Sequence, residues 1–356
     1  MLPFLTADLP GTGGRLRDTP EDFVVEEVPA YAPSGAGEHV YAWIEKRDVA
    51  TPTAATAMAA ALGVRARDVG WAGMKDKRAV TRQWLSFPTP VTPEQVQAVK
   101  VDGVTVLDVR RHGNKLKTGH LRGNRFVLRV RGVGEATEAA ARASKILRVL
   151  AEPPGALNWF GEQRFGRDGD NAARGRALLA QPDQRVGERE RRLMISAVQS
   201  ELFNDWLARR VGDGLFRRVI EGDWLEKRAS GGQFSTTDPA ADVVRVAAGE
   251  IVVTGPMFGW KLRAAAAGTE AGAREAAVLA DAGLTLESFR PAGDLAMGTR
   301  RPLAIAIADA TAQPAGDDVI DVSFSLPSGA YATAVLREIM KTATSDSGEG
   351  RNDSGA

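Results

Sequence analysis

The chain has 356 residues, 44% of them hydrophobic and 26% charged, which is typical of a soluble globular protein long enough for two domains. It contains no cysteine and only three histidines, which excludes disulfides, thiolate metal sites and cysteine nucleophiles and leaves little material for a zinc site. The formal net charge is +1, so the overall charge does not by itself indicate a nucleic-acid-binding protein.

We expect neither a membrane span nor a signal peptide. The longest apolar runs, such as TAMAAALGV, are short and rich in alanine. The first ten residues, MLPFLTADLP, lack the basic segment and the long apolar core of a secretory signal. Together with the absence of cysteine, these features favour a cytoplasmic protein.

Short strands and helices alternate in the first 151 residues. The predicted strands are DFVVEEV (22–28), HVYAWIEKR (39–47), ARDVGWAG (66–73), VTRQWLSF (80–87), VTVLDVRR (104–111) and NRFVLRVRG (124–132). The predicted helices are TPTAATAMAAALGV (51–64), PEQVQAVK (93–100) and EATEAAARASKILRVLA (135–151). This mixture indicates an α+β domain with a largely antiparallel sheet.

The middle of the chain has a different pattern, and the first pattern returns near the end. The predicted helices are ISAVQSELFNDWLARRV (195–211), EAGAREAAVLADAG (270–283) and YATAVLREIMK (331–341). The β-rich stretches are DWLEKR (223–228), ADVVRVAAGEIVVT (241–254), GPMFGWKL (255–262), RRPLAIAIADA (300–310) and DVSFSLPSG (321–329).

This order predicts a discontinuous core domain with a second domain inserted into it. We assign 1–156 and 304–341 to the core, 157–303 to the insertion, and 342–356, which is polar and rich in glycine, to a disordered tail.

The segment GMKDKRAVTRQW (73–84) places one carboxylate, Asp76, between Lys75 and Lys77 at a predicted strand-to-strand turn. A side chain at the end of a rigid strand is well placed for chemistry. The adjacent positive charge favours the ionised carboxylate, which can act as a nucleophile. The alternative is an ordinary solvated turn, since charged residues are common at hairpin tips.

A basic strip without any acid extends from Val109 to Gly134. Such a strip is either a solvated face or a surface that contacts phosphates and displaces counterions from a nucleic acid. The residues assigned to contact with a nucleic-acid backbone are Arg110, Arg111, Lys115, Lys117 and Arg122.

The segment LNWFGEQRFGRDGDN (157–171) combines aromatic rings, glycines and planar polar groups and is poorly suited to a regular element. These groups are the ones that hold an unstacked base. The alternative is a packed connection in which Trp159, Phe160 and Phe165 fill the core.

Taken together, these segments resemble the TruD family of tRNA pseudouridine synthases. AGMKDKRAVTRQW is similar to the segment that carries the catalytic aspartate of the family, and LNWFGEQRFGRDGDN is similar to its asparagine–aromatic–phenylalanine loop. Further similar segments are EDFVVEEV, KLKTGHLRGNRF, SAVQSELFND, GEIVVTGPMFG, GTRR (298–301) and SLPSGAYATAVLREI. The resemblance extends from about residue 11 to residue 341.

The resemblance implies an isomerase that converts a uridine of tRNA, usually the one at position 13, to pseudouridine without a cofactor or metal. It also implies a pseudouridine synthase core with a mixed sheet, an inserted TRUD domain, and tRNA as the partner in the cleft between them. Because one chain then carries both walls of the cleft, we expect a monomer.

The resemblance also assigns the site residues. Asp76 matches the catalytic aspartate, which attacks the sugar C1′ or assists cleavage of the glycosidic bond. Phe160 matches the residue expected to stack on the target base, and Asn158 matches a loop asparagine that contacts the substrate or fixes the loop. Arg17 stands where the family commonly has a basic residue beside the aspartate, although lysine is expected there. Lys75 is assigned to the substrate-binding residues.

Two other functions stay open, and so do the roles of two pairs of adjacent residues. The chain is alternatively a non-catalytic RNA-binding protein, or a hydrolase that uses Asp76 with Asp22 or Glu162. The adjacent Arg337 and Glu338 form either a surface ion pair or part of a pocket wall. Arg300 and Arg301 either contact RNA or cap the domain junction.

Overall fold

The computed structural model describes residues 2–342, and the predicted disordered tail lies outside them apart from its first residue. Within these residues the α-helices are α1 (Thr51–Ala61), α2 (Pro93–Ala98), α3 (Ala136–Ala151), α4 (Asn171–Ala180), α5 (Glu188–Gly212), α6 (Pro239–Ala247), α7 (Glu270–Asp281) and α8 (Ala332–Met340). None of the helices described is both long enough and apolar enough to cross a bilayer.

The strands of the described residues are β1 (Phe23–Pro29), β2 (His39–Arg47), β3 (Gly70–Trp71), β4 (Val80–Phe87), β5 (Val104–His112), β6 (Leu121–Arg131), β7 (Ala156–Leu157), β8 (Trp224–Lys227), β9 (Gln233–Ser235), β10 (Ile251–Met257), β11 (Thr299–Pro302), β12 (Ala304–Ile305), β13 (Ala308–Pro314) and β14 (Val319–Pro327). The predicted strands 39–47 and 80–87 are confirmed with the same bounds, and most of the other predicted strands shift by one to three residues.

The largest sheet has the strand order β13-β14-β6-β1-β4-β2-β5, with β3 paired to β4. All neighbouring strands are antiparallel except β1 and β4, which run parallel. The predicted α+β class with a mixed, largely antiparallel sheet is therefore confirmed. A four-stranded sheet, β11-β10-β8-β9, and a two-stranded ladder of β7 and β12 complete the topology.

Helices cover one face of the large sheet. The inward side chains of β2 are Val40, Ala42 and Ile44, and they share a buried cluster with Met58 of α1 and Val96 of α2. The inward side chains of β1, β6 and β14 share a second buried cluster with side chains of α3 and α8. Because strand side chains alternate between faces, the residues between these positions point to the opposite face.

The buried clusters change at the β7–β12 ladder. Ala156 and Ile305 belong to the cluster of the large sheet, whereas their neighbours Leu157 and Ala304 belong to the cluster built around α5 and β10. The four residues pair with one another across the ladder. We therefore propose that the inserted domain begins and ends at this ladder, which lies within one residue of the predicted limits.

Three elements differ from their predictions. The valine-rich segment after residue 241 was expected to be β-rich, but it begins with helix α6, whose start is capped by the Asp238 carboxylate accepting from Ala240 N–H and Ala241 N–H. Segment 66–73 is a short 3₁₀ turn followed by only two strand residues. Helix α5 begins at Glu188, seven residues before the predicted start. For α6, the cap at the helix start outweighs the strand propensity of the valines.

Candidate active site

Asp76 lies in the loop 72–79, between β3 and β4. This confirms the predicted position between two strands. Strand β4 is central in the large sheet and runs parallel to β1, so the loop lies beside the start of β1. The Asp76 side chain is 49% exposed, which leaves its carboxylate accessible to a substrate.

Lys46 holds the main chain of Asp76 from inside the protein. Its ammonium donates to the Asp76 carbonyl oxygen at 2.8 Å and to the Val49 carbonyl oxygen at 2.7 Å. The lysine is completely buried at the end of β2. Burial lowers the pKa of Lys46 to about 8, although the charge of Asp76 opposes this shift. The sequence analysis missed this residue.

Two more buried side chains fix the same loop. Thr51 Oγ1 accepts from the Lys75 N–H at 3.1 Å and donates to Gln83 Oε1 at 2.8 Å. Gln83 Nε2 in turn donates to the Gly73 carbonyl oxygen at 3.1 Å. With Lys46, these groups form a polar cradle (Lys46, Thr51 and Gln83) that bonds the main chain of the loop at three positions. The carboxylate therefore projects from a fixed backbone.

The ammonium of Lys75 faces the protein interior. It lies 2.8 Å from a carboxylate oxygen of Glu27, and both side chains are almost completely buried. Burial raises the pKa of Glu27 in spite of the lysine beside it, and the other carboxylate oxygen of Glu27 accepts from Trp84 N–H at 3.4 Å. Lys75 therefore belongs to a buried pair, a placement that does not support its assignment to the substrate-binding residues, which stays a prediction.

Arg17 lies beside the candidate nucleophile. Its Nη2 is 3.7 Å from Asp76 Oδ1, so the expected ion pair is present, and its guanidinium stacks 4.1 Å from the centre of the Phe23 ring. Arg17 also adopts a φ of 66°, a left-handed conformation that costs a non-glycine residue about 1–2 kcal/mol. Strain of this kind is characteristic of functional sites, where the surroundings hold a residue in place.

The second candidate loop follows β7. Asn158 donates from Nδ2 to the Pro302 carbonyl oxygen at 2.8 Å, and its side-chain oxygen accepts from Arg301. Asn204 of α5 holds the peptide groups of Phe160, accepting from its N–H at 3.0 Å and donating to its carbonyl oxygen at 2.9 Å. Asn158 therefore fixes the loop, as one of its two predicted roles requires.

The ring of Phe160 is only 5% exposed. The guanidinium of Arg301 lies 4.1 Å from the ring centre, and Phe203 packs against the ring edge-on at 5.7 Å. Phe160 and Trp159 both belong to the buried cluster of the inserted region, as the packing alternative predicted. Base stacking on Phe160 therefore requires that Arg301 move off the ring or share it.

Arg301 is a further residue of this site. Burial lowers its pKa to about 10, while its Nε has no hydrogen-bond partner among the described residues. Its neighbour Arg300 is instead a structural residue, with Nη1 2.7 Å from a carboxylate oxygen of buried Glu275. Adjacent residues of a strand point their side chains to opposite faces of the sheet. The two arginines, for which the sequence left the same two roles open, therefore have different surroundings.

Helix α8 contacts both candidate segments. Thr12 N–H, a few residues before Arg17, donates to the Ile339 carbonyl oxygen at 2.8 Å. Near Phe160, an added Cβ at Gly161 would lie 3.6 Å from Thr333 Oγ1. Positions 333 and 339 of a helix are about 9 Å apart along the axis. The Arg17 segment and the Phe160 loop therefore rest on one short helix.

Of the two roles left open for Arg337 and Glu338, the surface ion pair does not form. The buried Glu338 carboxylate accepts from Leu5 N–H at 2.7 Å and from Thr6 Oγ1 at 2.7 Å. Arg337 donates to the Pro3 carbonyl oxygen at 3.0 Å. Both side chains therefore tie the start of the described chain to α8.

The predicted RNA-contact residues lie in or next to the loop between β5 and β6, and all of them are exposed or partly exposed. Arg110 is paired with Asp108 at 2.9 Å, while Lys115 donates to the Arg67 carbonyl oxygen at 2.8 Å and Arg111 to the Gly37 carbonyl oxygen at 3.2 Å. The assignment to RNA contact stays a prediction for Arg110, Arg111, Lys115, Lys117 and Arg122.

No group of three or more histidine, aspartate or glutamate side chains within residues 2–342 is arranged to hold a metal ion.

Known proteins match this chain over most of its length. A family model described as tRNA pseudouridine synthase D (TruD) matches residues 2–182 and 176–339. Among curated proteins, the tRNA pseudouridine synthase D of Anaeromyxobacter sp. (strain Fw109-5) is 51% identical over 345 residues, covering 95% of this chain and 96% of that protein. A protein of the same name from Thermus thermophilus is 43% identical over 344 residues, covering 97% of this chain and 93% of that protein.

A crystal structure of a TruD-type protein from Methanosarcina mazei has the same fold. It matches with a TM-score of 0.78 at 23% identity and covers 96% of each chain.

Proposed function

The chain belongs to the TruD family of tRNA pseudouridine synthases, and on that premise we propose that it acts on the uridine at position 13 of tRNA with Asp76 as the nucleophile. As a member of this family it isomerises uridine to pseudouridine in tRNA. The observation that carries the assignment of Asp76 is its accessible carboxylate, held on a fixed loop with Arg17 at 3.7 Å.

The reaction breaks the bond between C1′ and N1 of the uracil and forms one between C1′ and C5. In our proposal the Asp76 carboxylate attacks C1′, the released uracil turns, and C5 bonds to C1′ as the aspartate departs. C5 then loses its proton and N1 gains one, so the product is an isomer of the substrate. Asp76 or a water molecule accepts the C5 proton.

The target base must leave the RNA stack before C1′ and C5 become accessible, which costs a few kcal/mol. In our proposal the uracil stacks on Phe160 after it displaces the Arg301 guanidinium, and stacking returns about 1–3 kcal/mol. The side-chain amide of Asn158 and the carbonyl of Phe160 are already hydrogen-bonded. Binding of the base therefore requires little further ordering of the loop.

Phosphate contacts position the RNA in this proposal, and loop contacts select the base. The exposed cations around the β5–β6 loop supply the first kind of contact. Because one chain carries both the Asp76 loop and the Phe160 loop, we propose a monomer, and we place it in the cytoplasm, where tRNA is processed.

The experiment uses unmodified tRNA that carries tritium at uridine C5. Wild-type protein releases tritium, and Asp76→Asn binds the same tRNA without releasing it. A tRNA with cytidine at position 13 releases none if that position is the only target. Tight binding without release by the wild type would instead support a non-catalytic RNA-binding protein, and cleaved RNA would support a hydrolase.

The hydrolase alternative lacks support from Asp22, one of its two proposed second acids. Asp22 is buried and bonded to Arg131 Nη2 at 2.7 Å and to Thr19 N–H at 3.0 Å. Burial raises the pKa of Asp22, but these bonds outweigh burial and leave it below the usual value. A paired carboxylate with a lowered pKa is a poor proton donor.

A further inference from the structure

Met74 is the most exposed large apolar side chain in the part of the chain that the structure describes. It is 74% exposed, whereas the alanines at the two ends of the same loop, Ala72 and Ala79, are completely buried. A single exposed apolar residue is ordinary on a protein surface. This one, however, stands two residues before the candidate nucleophile.

Met74 and Asp76 are both exposed, with the buried Lys75 between them. The side chain between them, Lys75, enters the interior and pairs with Glu27, while its two neighbours face solvent. This alternation is that of an extended segment, in which residues two apart share a face. The two Cα atoms therefore lie at most about 7 Å apart.

The main chain around Met74 is fixed. The carbonyl of Gly73 accepts from Gln83 at 3.1 Å, and the N–H of Lys75 donates to Thr51 at 3.1 Å. Both partners are completely or almost completely buried. The exposed methionine is thus carried on a backbone that is bonded on either side, which distinguishes it from an apolar residue at a mobile loop tip.

We propose that Met74 is a wedge that enters the RNA base stack at the place the target uridine leaves. The proposal rests on the uridine isomerase function above. Proteins that unstack nucleic acids use apolar wedges, methionine among them, inserted between base steps. A separation of at most about 7 Å does not exceed the length of two base steps of about 3.4 Å each. When the carboxylate of Asp76 reaches C1′, Met74 therefore lies beside the vacated position.

The residues near Met74 considered next are either charged or partly buried. Lys77 and Arg78 are exposed but charged, which suits phosphate contact. Leu121, which lies close to Gly73, is half-buried and packs against Ala72, Tyr41 and Leu116. Within the loop 72–79, Met74 is the apolar side chain available to the RNA.

The test compares two substrates in single-turnover tritium release at saturating enzyme, which removes differences in affinity. One is the unmodified tRNA, and the other carries abasic residues on both sides of the target uridine, so that there is no stack to open. Met74→Ala should lower the rate on the first about 10- to 100-fold and on the second less than about threefold, since only the first incurs the unstacking cost. Met74→Leu should retain most of the rate on both.

A second readout follows unstacking directly. In the inactive Asp76→Asn background, 2-aminopurine placed next to the target uridine should brighten on binding, and adding Met74→Ala should abolish that signal while the tRNA stays bound. Val244→Ala is the matched control, because Val244 is 67% exposed on α6 and should leave every rate unchanged.

Equal decreases in the rate of tritium release from the two substrates, or no decrease with either, would overturn the proposal that Met74 is a wedge. The unfolding midpoint of Met74→Ala should equal that of the wild type, because the side chain is exposed, and a lowered midpoint would also overturn it. Failure of the proposed function has a different signature, since the wild type itself would then release no tritium from any tRNA.

Discussion

The ammonium of Lys46 donates to the main-chain carbonyl oxygen of Asp76 at 2.8 Å, although the residues are 30 positions apart. Lysine is rarely buried without a partner, and this one bonds two carbonyl oxygens rather than a carboxylate. The interaction fixes the backbone of the candidate nucleophile and leaves its side chain free to react.

Lys46→Met removes both bonds from a buried site. Each carbonyl left without a donor costs about 1–3 kcal/mol, so we expect the free energy of unfolding to fall by about 2–4 kcal/mol in denaturant titration. Tritium release should slow by about 10- to 100-fold at saturating tRNA, since a shift of about 1 Å in a catalytic group has that effect. Lys100→Met, which changes an exposed lysine, is the control. A normal rate in a destabilised Lys46→Met would show that Asp76 does not depend on this bond.

The same lysine predicts a pH dependence of stability. The pKa of Lys46 is about 8 in the folded protein, below the ordinary value of 10.5, so the unfolded chain binds more protons between these pH values. The free energy of unfolding of the wild type should therefore rise, relative to that of Lys46→Met, as pH increases from about 8 to about 10.5. Denaturant titrations of both proteins across that range measure the difference. A constant difference would mean that burial does not shift the lysine.

Arg17 should affect turnover more than tRNA binding, because its guanidinium lies next to Asp76 and not on an exposed surface. We expect Arg17→Ala to lower kcat by about 10- to 100-fold, in the range of one lost electrostatic contact in an active site. Arg17→Lys keeps the charge but not the planar group over Phe23, so it should restore part of the rate. Equal losses in Arg17→Ala and Arg17→Lys would indicate that the stacked guanidinium matters, and not the charge.

Phe160 and Phe203 form a matched pair for testing base stacking. Both are buried and they contact each other edge-on, so Phe160→Leu and Phe203→Leu should each destabilise the protein by about 1–2 kcal/mol. Only Phe160→Leu should also lower kcat/KM, by about tenfold or more, through the loss of stacking. Similar kinetic losses in both variants would show that packing, and not a stacked base, explains the effect.

The buried pair of Lys75 and Glu27 should contribute through structure alone. Lys75→Met leaves the Glu27 carboxylate buried without its partner and should lower the free energy of unfolding by about 3–5 kcal/mol. Adding Glu27→Gln should recover part of that loss in a double-mutant cycle. A weaker affinity for tRNA in Lys75→Met with unchanged stability would instead support the substrate-binding assignment.

Much of the fold followed from local patterns. The alternation of side chains in HVYAWIEKR and VTRQWLSF is that of strands with one buried face, and both strands have the predicted bounds. The prediction was wrong where the residues of a segment favour more than one secondary structure. The valines of α6 favour a strand, yet a proline at its first position and the Asp238 cap start a helix.

A signal for Lys46 was present in β2. Val40, Ala42 and Ile44 occupy its inward positions, and Lys46 is the next member of that series. A lysine at an inward position needs an internal partner, but periodicity does not say which one. The partner depends on how β4 and the loop before it pack against β2.

The sequence by itself determined the family segments and the α+β class, and it placed Asp76 in a loop between strands, because these depend on residues close together along the chain. Only the tertiary structure decided that Lys75 faces Glu27, that Lys46 bonds the backbone of Asp76, and that Arg301 covers Phe160. These partners are separated by 30 to more than 100 residues, and their contacts arise from the packing of strands and helices, which no local periodicity records.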